Sequence, residues 1–353
     1  MMSKLRTQIG SVWNAHVKPF LKDPILLNKW NDTVIGGRPD GKRMTAWVND
    51  GYRLTIGRDD YTGDVFMFVQ DMHQIIMPSS GRRSNHQYSA VLEPANNILT
   101  GKVVKALGGD RYGRDLSDAL RKFVERVTQS LFYYGKAVYE VRCDKDEDGN
   151  VTDLEFYLVF PPTIRRLFGS YWQVVTWKAA KHAHIKAGLH RIPSERLLVI
   201  EFPKQLGGRR GLKKVIKELI YISKEVVPDF QMAAMKNQVN SGFDFSKYIW
   251  NRYIEKGKIT RRFGWDQRKT SDSDMLEYYT IYRHLQFAKS QATIRKHILG
   301  QLNKVLQNQY IKLESEIVMK DILTPEQIDD ELRVFKEGDI EFSDLYKRTS
   351  GLN

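Results

Sequence analysis

The segment CDKDEDGNVTDLE places Asp144, Asp146, Asp148, Gly149 and Glu155 at the spacing of a twelve-residue calcium loop, with Val151 at its apolar position. A hard cation needs several oxygen ligands at such offsets, and glycine permits the sharp turn between them. That loop also needs a helix on each side. Here both flanks alternate as strands, and LEFYLVF runs into Pro161 and Pro162, so the acids read as the tip of an exposed β-hairpin. His182, His184 and His190 in KHAHIKAGLH have spacings that suit zinc. No cysteine or carboxylate accompanies them, and Lys178, Lys181 and Lys186 would repel a cation, so the segment reads as a solvated basic loop. GGRRG at 207–211 precedes an expected helix, as a phosphate cradle would. It lacks the Gly-Lys-Ser/Thr of a nucleotide-binding loop, and the plainer reading is a tight turn with two solvated arginines.

None of the usual hydrolase, metalloprotease or dinucleotide signatures occurs, and no Cys/His nucleophile pair. No catalytic residue, metal ligand or cofactor is therefore assigned. Scattered carboxylates leave a metal-dependent nuclease as a lesser alternative. The single cysteine, Cys143, excludes an internal disulfide. The opening MMSKLRTQIGSVWNAHVKPF has no apolar core or small-residue cleavage site, so no signal peptide is expected, and no run is long enough for a membrane helix. A reducing cytoplasm is the expected place of synthesis.

Charge is more informative. Across 353 residues, 56 Lys and Arg face 42 Asp and Glu, a net charge of +14. The excess is local. Residues 204–269 hold 16 basic and 6 acidic residues, interleaved with Phe243, Phe245, Tyr248, Trp250, Tyr253, Phe263 and Trp265. Residues 314–346 hold 11 acidic and 3 basic residues. A basic, aromatic stretch suits a phosphate backbone or an acidic partner.

The elements that would carry these residues follow from periodicity. Val65, Phe68, Val69, Met72 and Ile76 have helical spacing, and Pro78 stops that helix. ILTGKVVKALGG predicts a short helix closed by Gly108. Leu116, Leu120, Phe123, Val124, Val127, Leu131 and Tyr134 form the stripe of a helix over 115–134 that breaks at Gly135. Ala137, Tyr139 and Val141 then alternate as a strand, followed by the acidic turn and a returning strand. WQVVTW and RLLVIEF predict two more strands. Residues 211–227 form an amphipathic helix on Leu212, Val215, Ile216, Leu219, Ile222 and Val226, with a further helical stretch to Asn240. Residues 241–274 read as irregular and 275–320 as one long helical pattern, weakened only at Gly300. Thr324, Pro325 and Gln327 mark a capped helix start, and Gly338 its end. The fold class is α+β, mainly helical.

The order of these pieces resembles the portal, or head–tail connector, proteins of tailed bacteriophages. It runs from an apolar helix into YGKAVYEV, through a glycine hairpin to LEFYLVFPPTIRRL, and through RIPSERLLVIEFP to GGRRGLKKVIKELIYISKEVV and the helical half. The closest echoes are Gly135 with Ala137, Tyr139 and Glu140, Gly211-Leu212 before a helix, and the C-terminal LTPEQIDDELRVFKEGDIEFSD. The likeness covers roughly residues 60–340. It departs from the family in having no proline between Pro228 and Pro325, a short clip and no large crown.

The resemblance implies an α/β wing over 1–205, a first stem helix over 206–240 and a clip-like region over 241–274. It further implies a second stem, tunnel and long wing helix over 275–320, and a crown-like helical segment over 321–353. It implies a homo-oligomeric ring of about twelve copies at a capsid vertex of the virion, assembled in the host cytoplasm. Double-stranded DNA would pass through the ring, with terminase, a head–tail adaptor and the major capsid protein as partners, and without catalysis, cofactor, metal or membrane. Lys256, Lys258, Arg261, Arg262, Arg268 and Lys269 would face DNA or a partner. Lys289 would join them if the long helical pattern breaks there. Arg261→Glu with Arg262→Glu is expected to abolish DNA packaging without unfolding. A nucleic-acid-binding protein that forms no ring is the principal alternative.

Overall fold

Five apolar side chains at helical spacing, Val65, Phe68, Val69, Met72 and Ile76, are all fully buried, four of them on helix α1 (Gly63–Gln74) and Ile76 just beyond its end. The computed structural model describes residues 63–78, 88–108, 115–159, 161–175, 188–224, 245–265, 277–338 and 344. Expectations for residues 1–60, for the continuation of the 211–227 helix towards Asn240, for His182 and His184, and for most of 339–353 lie outside these residues.

In chain order α1 is followed by β1 (Ser89–Glu93), α2 (Asn97–Ala106), α3 (Leu116–Tyr134), β2 (Lys136–Lys145), β3 (Val151–Leu158), β4 (Ile164–Leu167), β5 (Ser170–Val175), β6 (Gly188–Ile192) and β7 (Leu197–Glu201). Then come α4 (Gly208–Lys224), α5 (Phe245–Ile259), α6 (Glu277–Leu306), β8 (Glu316–Lys320) and α7 (Pro325–Glu337). The class is α+β, with helices predominating among the described residues. Among the described residues three small sheets have the orders β1-β8, β3-β2-β7 and β4-β5-β6. The chain divides into two compact units, one of Met1–Gly51, Val138–Arg142 and Phe156–Leu197, the other of Tyr52–Ala137, Cys143–Glu155 and Leu198–Asn353.

Within the second unit, α3 follows its sequence pattern closely. The Asp115 side chain caps its start by accepting from the Asp118 amide at 2.8 Å. Every residue of its apolar stripe is buried. Gly135 closes it at φ 71°, and a Cβ there would meet the Arg209 side chain. The core beside α3 is aromatic. Phe68 meets Phe132, Phe263 and Trp265 edge-on at centroid distances of 5.6, 5.2 and 5.4 Å. Edge-to-face packing sets the positive ring rim against a negative ring face, which adds specificity to burial worth about 1.5–3 kcal/mol per ring.

Helix α6 ties this unit together with polar side chains as well as apolar ones, burying Leu285, Ile294, Ile298 and Leu302. Arg283 donates to the Gly257 carbonyl at 3.0 Å and to that of Trp265. Ser290 donates to Phe263, Gln291 to Ile75, and Arg295 to Ile76, the last two at 2.7 Å. Arg295 is buried, and burial pushes its guanidinium down to about 10. Its Nη1 meets the Ile76 carbonyl just past the end of α1, where the helix carries partial negative charge, and its Nη2 meets the Leu323 carbonyl at 3.5 Å.

Three readings need correction. Residues 245–259 are helix α5, not irregular chain. Their aromatic residues fall at helical spacing, but the cations between them hid the stripe. The 275–320 pattern is not one helix. It runs unbroken through Gly300 and stops at Leu306, and residues 316–320 form β8, paired antiparallel to β1 with Val91 opposite Val318. The Asn308 side chain stops the helix by accepting from the amides of Tyr310 and Ile311 at 3.0 and 2.9 Å. Beyond it Ile311, Leu313, Ser315 and Ile317 are buried in strand alternation. Finally, α4 begins at Gly208, so all of GGRRG but Gly207 lies in its first turn rather than preceding it.

In the first unit, β4, β5 and β6 make a three-stranded antiparallel sheet. Strands β4 and β6 escaped the sequence reading because each is short, and two Arg or a His-Arg pair interrupt their alternation. Its inner face buries Ile164, Gln173 and Ile192, and Gln173 donates to the Thr163 hydroxyl at 3.4 Å.

Candidate polyanion-binding face

Helix α4 separates its residues by chemistry. Leu212, Ile216, Leu219, Ile220 and Ile222 are buried. Arg209, Arg210, Lys213, Lys214 and Lys217 are exposed. Arg210, Lys214 and Lys217 stand at i, i+4 and i+7, and Arg209, Lys213 and Lys217 at i, i+4 and i+8, so the cations form a stripe over the first three turns. The carboxylate in this stretch is Glu218, 3.7 Å from Lys214 in a well-exposed pair that neutralises little.

The start of α4 is built for close approach. Pro203 leads into a short 3₁₀ turn, and Gly207 takes φ 92°. Gly211 donates to the Gly207 carbonyl at 2.9 Å. Side chains are absent at Gly207 and Gly211 because the Arg262 guanidinium lies there. A Cβ on Gly211 would stand 3.4 Å from its Nη1, and one on Gly207 would collide with it. Arg262 and Arg261 are exposed on the 3₁₀ turn after α5, so that turn adds cations beside the first turn of α4. The amides at the start of α4 add partial positive charge.

The other residues singled out in the sequence have different surroundings. Lys256 donates to Asp64 at 2.8 Å, with both side chains only 12% exposed, so it joins α5 to the start of α1. Lys258 is exposed and pairs with Glu255 at 2.7 Å. Lys289 lies in unbroken α6 and pairs with Asp329 of α7, so the condition that would have made it a tunnel residue is not met. Arg268 and Lys269 lie outside the described residues. The structure thus brings Arg261 and Arg262 to the face and not Lys256, Lys258 or Lys289. Lys213, Lys214 and Lys217 were missed, although projecting 208–224 as a helix separates them from the apolar stripe.

No protein-family model and no curated protein matches the chain.

The acidic DKDEDGN segment ends β2 and forms the hairpin turn to β3 over residues 146–150. Asp146 accepts from the Asn150 amide and side chain at 2.7 and 3.2 Å, which holds its carboxyl below the usual range. Among the described residues no three His, Cys, Asp or Glu side chains converge as a metal site would require, and no helix is long and apolar enough to cross a membrane. His190 sits in β6 opposite Gln173. Chemically, the α4 face offers exposed cations and few carboxylates, which fits reversible contact with phosphates.

Proposed function

We propose that this chain is the subunit of a bacteriophage portal, a ring through which double-stranded DNA is packaged by a terminase and later released. What carries the reading is the order of elements. An apolar helix ends at a left-handed glycine and enters an acidic hairpin, a later strand leads through glycines into amphipathic α4, and long α6 and capped α7 follow. The α4 stripe supports it, since a channel for a moving duplex needs phosphate contacts that are modest and spread over many copies. Terminase, a head–tail adaptor and the capsid protein would be the partners, the virion vertex the location, and positioning rather than catalysis the role.

Negative-stain imaging with native mass measurement tests this. The expected result is a hollow ring of about twelve 41.1 kDa subunits. A second reading rests on the same stripe: a protein that binds nucleic acid without forming a ring. It predicts a small particle that shifts DNA on a gel in a salt-sensitive way.

A further inference from the structure

Two arginines of the basic face are seated on glycines. The Arg209 side chain lies across Gly135, the left-handed glycine that ends α3. A Cβ there would stand 2.6 Å from the Arg209 Cγ and 3.1 Å from its Nε. The Arg262 guanidinium lies over Gly207 and Gly211, and a Cβ on Gly207 would stand 3.4 Å from its Cζ. The two side chains come from different elements, Arg209 from α4 and Arg262 from the 3₁₀ turn after α5, and both lie at the first turn of α4. Both are exposed.

Neither guanidinium is used inside the fold. Arg283 and Arg295 donate to carbonyls in the core, and Arg121 and Arg333 pair with carboxylates. Among the described residues Arg209 and Arg262 have no such hydrogen bond or ion pair. A ligand that fixes a freely rotating side chain pays in rotamer entropy, and a seated side chain has given up part of that freedom already. Lys213, Lys214 and Lys217 are exposed point charges on flexible stems. We infer that Arg209 and Arg262 are the retaining contacts of this face. Each fork holds a backbone phosphate of the duplex with two parallel hydrogen bonds, and the three lysines draw the duplex in without fixing its place. The inference deepens the portal reading and rests on it for the phosphate ligand.

Attraction and retention are different demands on a channel. A duplex being packaged has to slip past each copy, and a packaged one has to stay. Diffuse lysine charge raises the rate of encounter, and forked contacts set the rate of departure. Repeated around a ring, two forks in each copy hold the duplex through many contacts, each weak enough to break as it moves.

Exchanging each fork for a point charge tests the inference. One variant carries Arg209→Lys and Arg262→Lys. A second carries Lys213→Gln and Lys217→Gln. Binding of each to a short fluorescent DNA duplex is followed by stopped flow across a salt series, beside the parent chain, with circular-dichroism melts to check folding. The arginine variant should dissociate about tenfold faster, with association rate and salt slope unchanged, because its charge is conserved. The lysine variant should associate more slowly, with a shallower salt slope, and dissociate at the parent rate. If the double arginine variant fails to fold, Arg209→Lys and Arg262→Lys decide singly, each expected to speed dissociation. Parental dissociation in a folded arginine variant overturns the inference and leaves the phosphate reading of the face standing. So does a lysine variant that dissociates as fast as the arginine variant. A parent chain that binds fluorescent polyglutamate and not duplex assigns the forks to an acidic protein partner and also overturns the inference. A parent chain that binds neither overturns the inference and the phosphate reading together.

Discussion

Lys256 and Lys258 are two residues apart and look alike in sequence, yet their surroundings give them different work. Lys256 and Asp64 form a nearly buried pair between α5 and α1. Removing one partner leaves a charge with little water to receive it. Lys256→Ala should cost about 3 kcal/mol in urea unfolding. Lys258→Ala removes an exposed pair and should change stability by less than about 0.5 kcal/mol. His73 adds a pH dependence at the same scale. Burial holds its imidazole down to about 4, against the pull of Asp71. In the unfolded chain it titrates near 6.5, so between these values the unfolded state binds the extra proton. This contribution is whole above about pH 6.5 and is lost as pH falls towards 4. Burial lowers His297 too, which acts in the same direction. His73→Gln should flatten the fall in unfolding free energy between pH 6.5 and 4.5 by about 2 kcal/mol. Sequence alone could not separate these cases, because burial is set by which helix packs where.

Among the elements, those legible in sequence are the ones whose ends carry their own chemistry. Asp115 and Gly135 bound α3, and the capping box of Thr324 and Gln327 with Pro325 starts α7 where the residue types place it. Strand β8 was hidden because Asn308 ends α6 without a glycine or proline, and because β8 is stabilised by β1, more than 200 residues away. Helix α5 was hidden by its cations. The turn after α5 depends on one glycine. Gly264 takes φ 69°, and a Cβ there would strike the α6 backbone at Arg283 and Phe287. Backbone cannot rotate aside as a side chain can. Gly264→Ala should cost more than the 0.4–1 kcal/mol scale of an unstrained glycine change, about 3 kcal/mol or above. A thermal melt checks it, and Gly300→Ala in open space on α6 is the control that should be neutral or stabilising.

For the whole molecule, the net charge of +14 conceals a division of labour. Helix α4 carries exposed cations, and the exposed β2–β3 hairpin tip carries the opposite sign. The basic excess was plain in composition. Its arrangement was not, because a stripe exists only once the helix has a phase and a buried side. Lys213→Glu with Lys217→Glu should leave folding intact and weaken duplex binding. It should lower the slope of log affinity against log salt by about 0.9 for each cation that had met a phosphate. An unchanged slope in a fluorescence titration would remove α4 from the interface. The most direct test of the account is the mass and shape of the purified protein at physiological salt. The account predicts a closed, hollow ring of about twelve subunits. A particle that stays at 41.1 kDa across all protein and salt concentrations would contradict it.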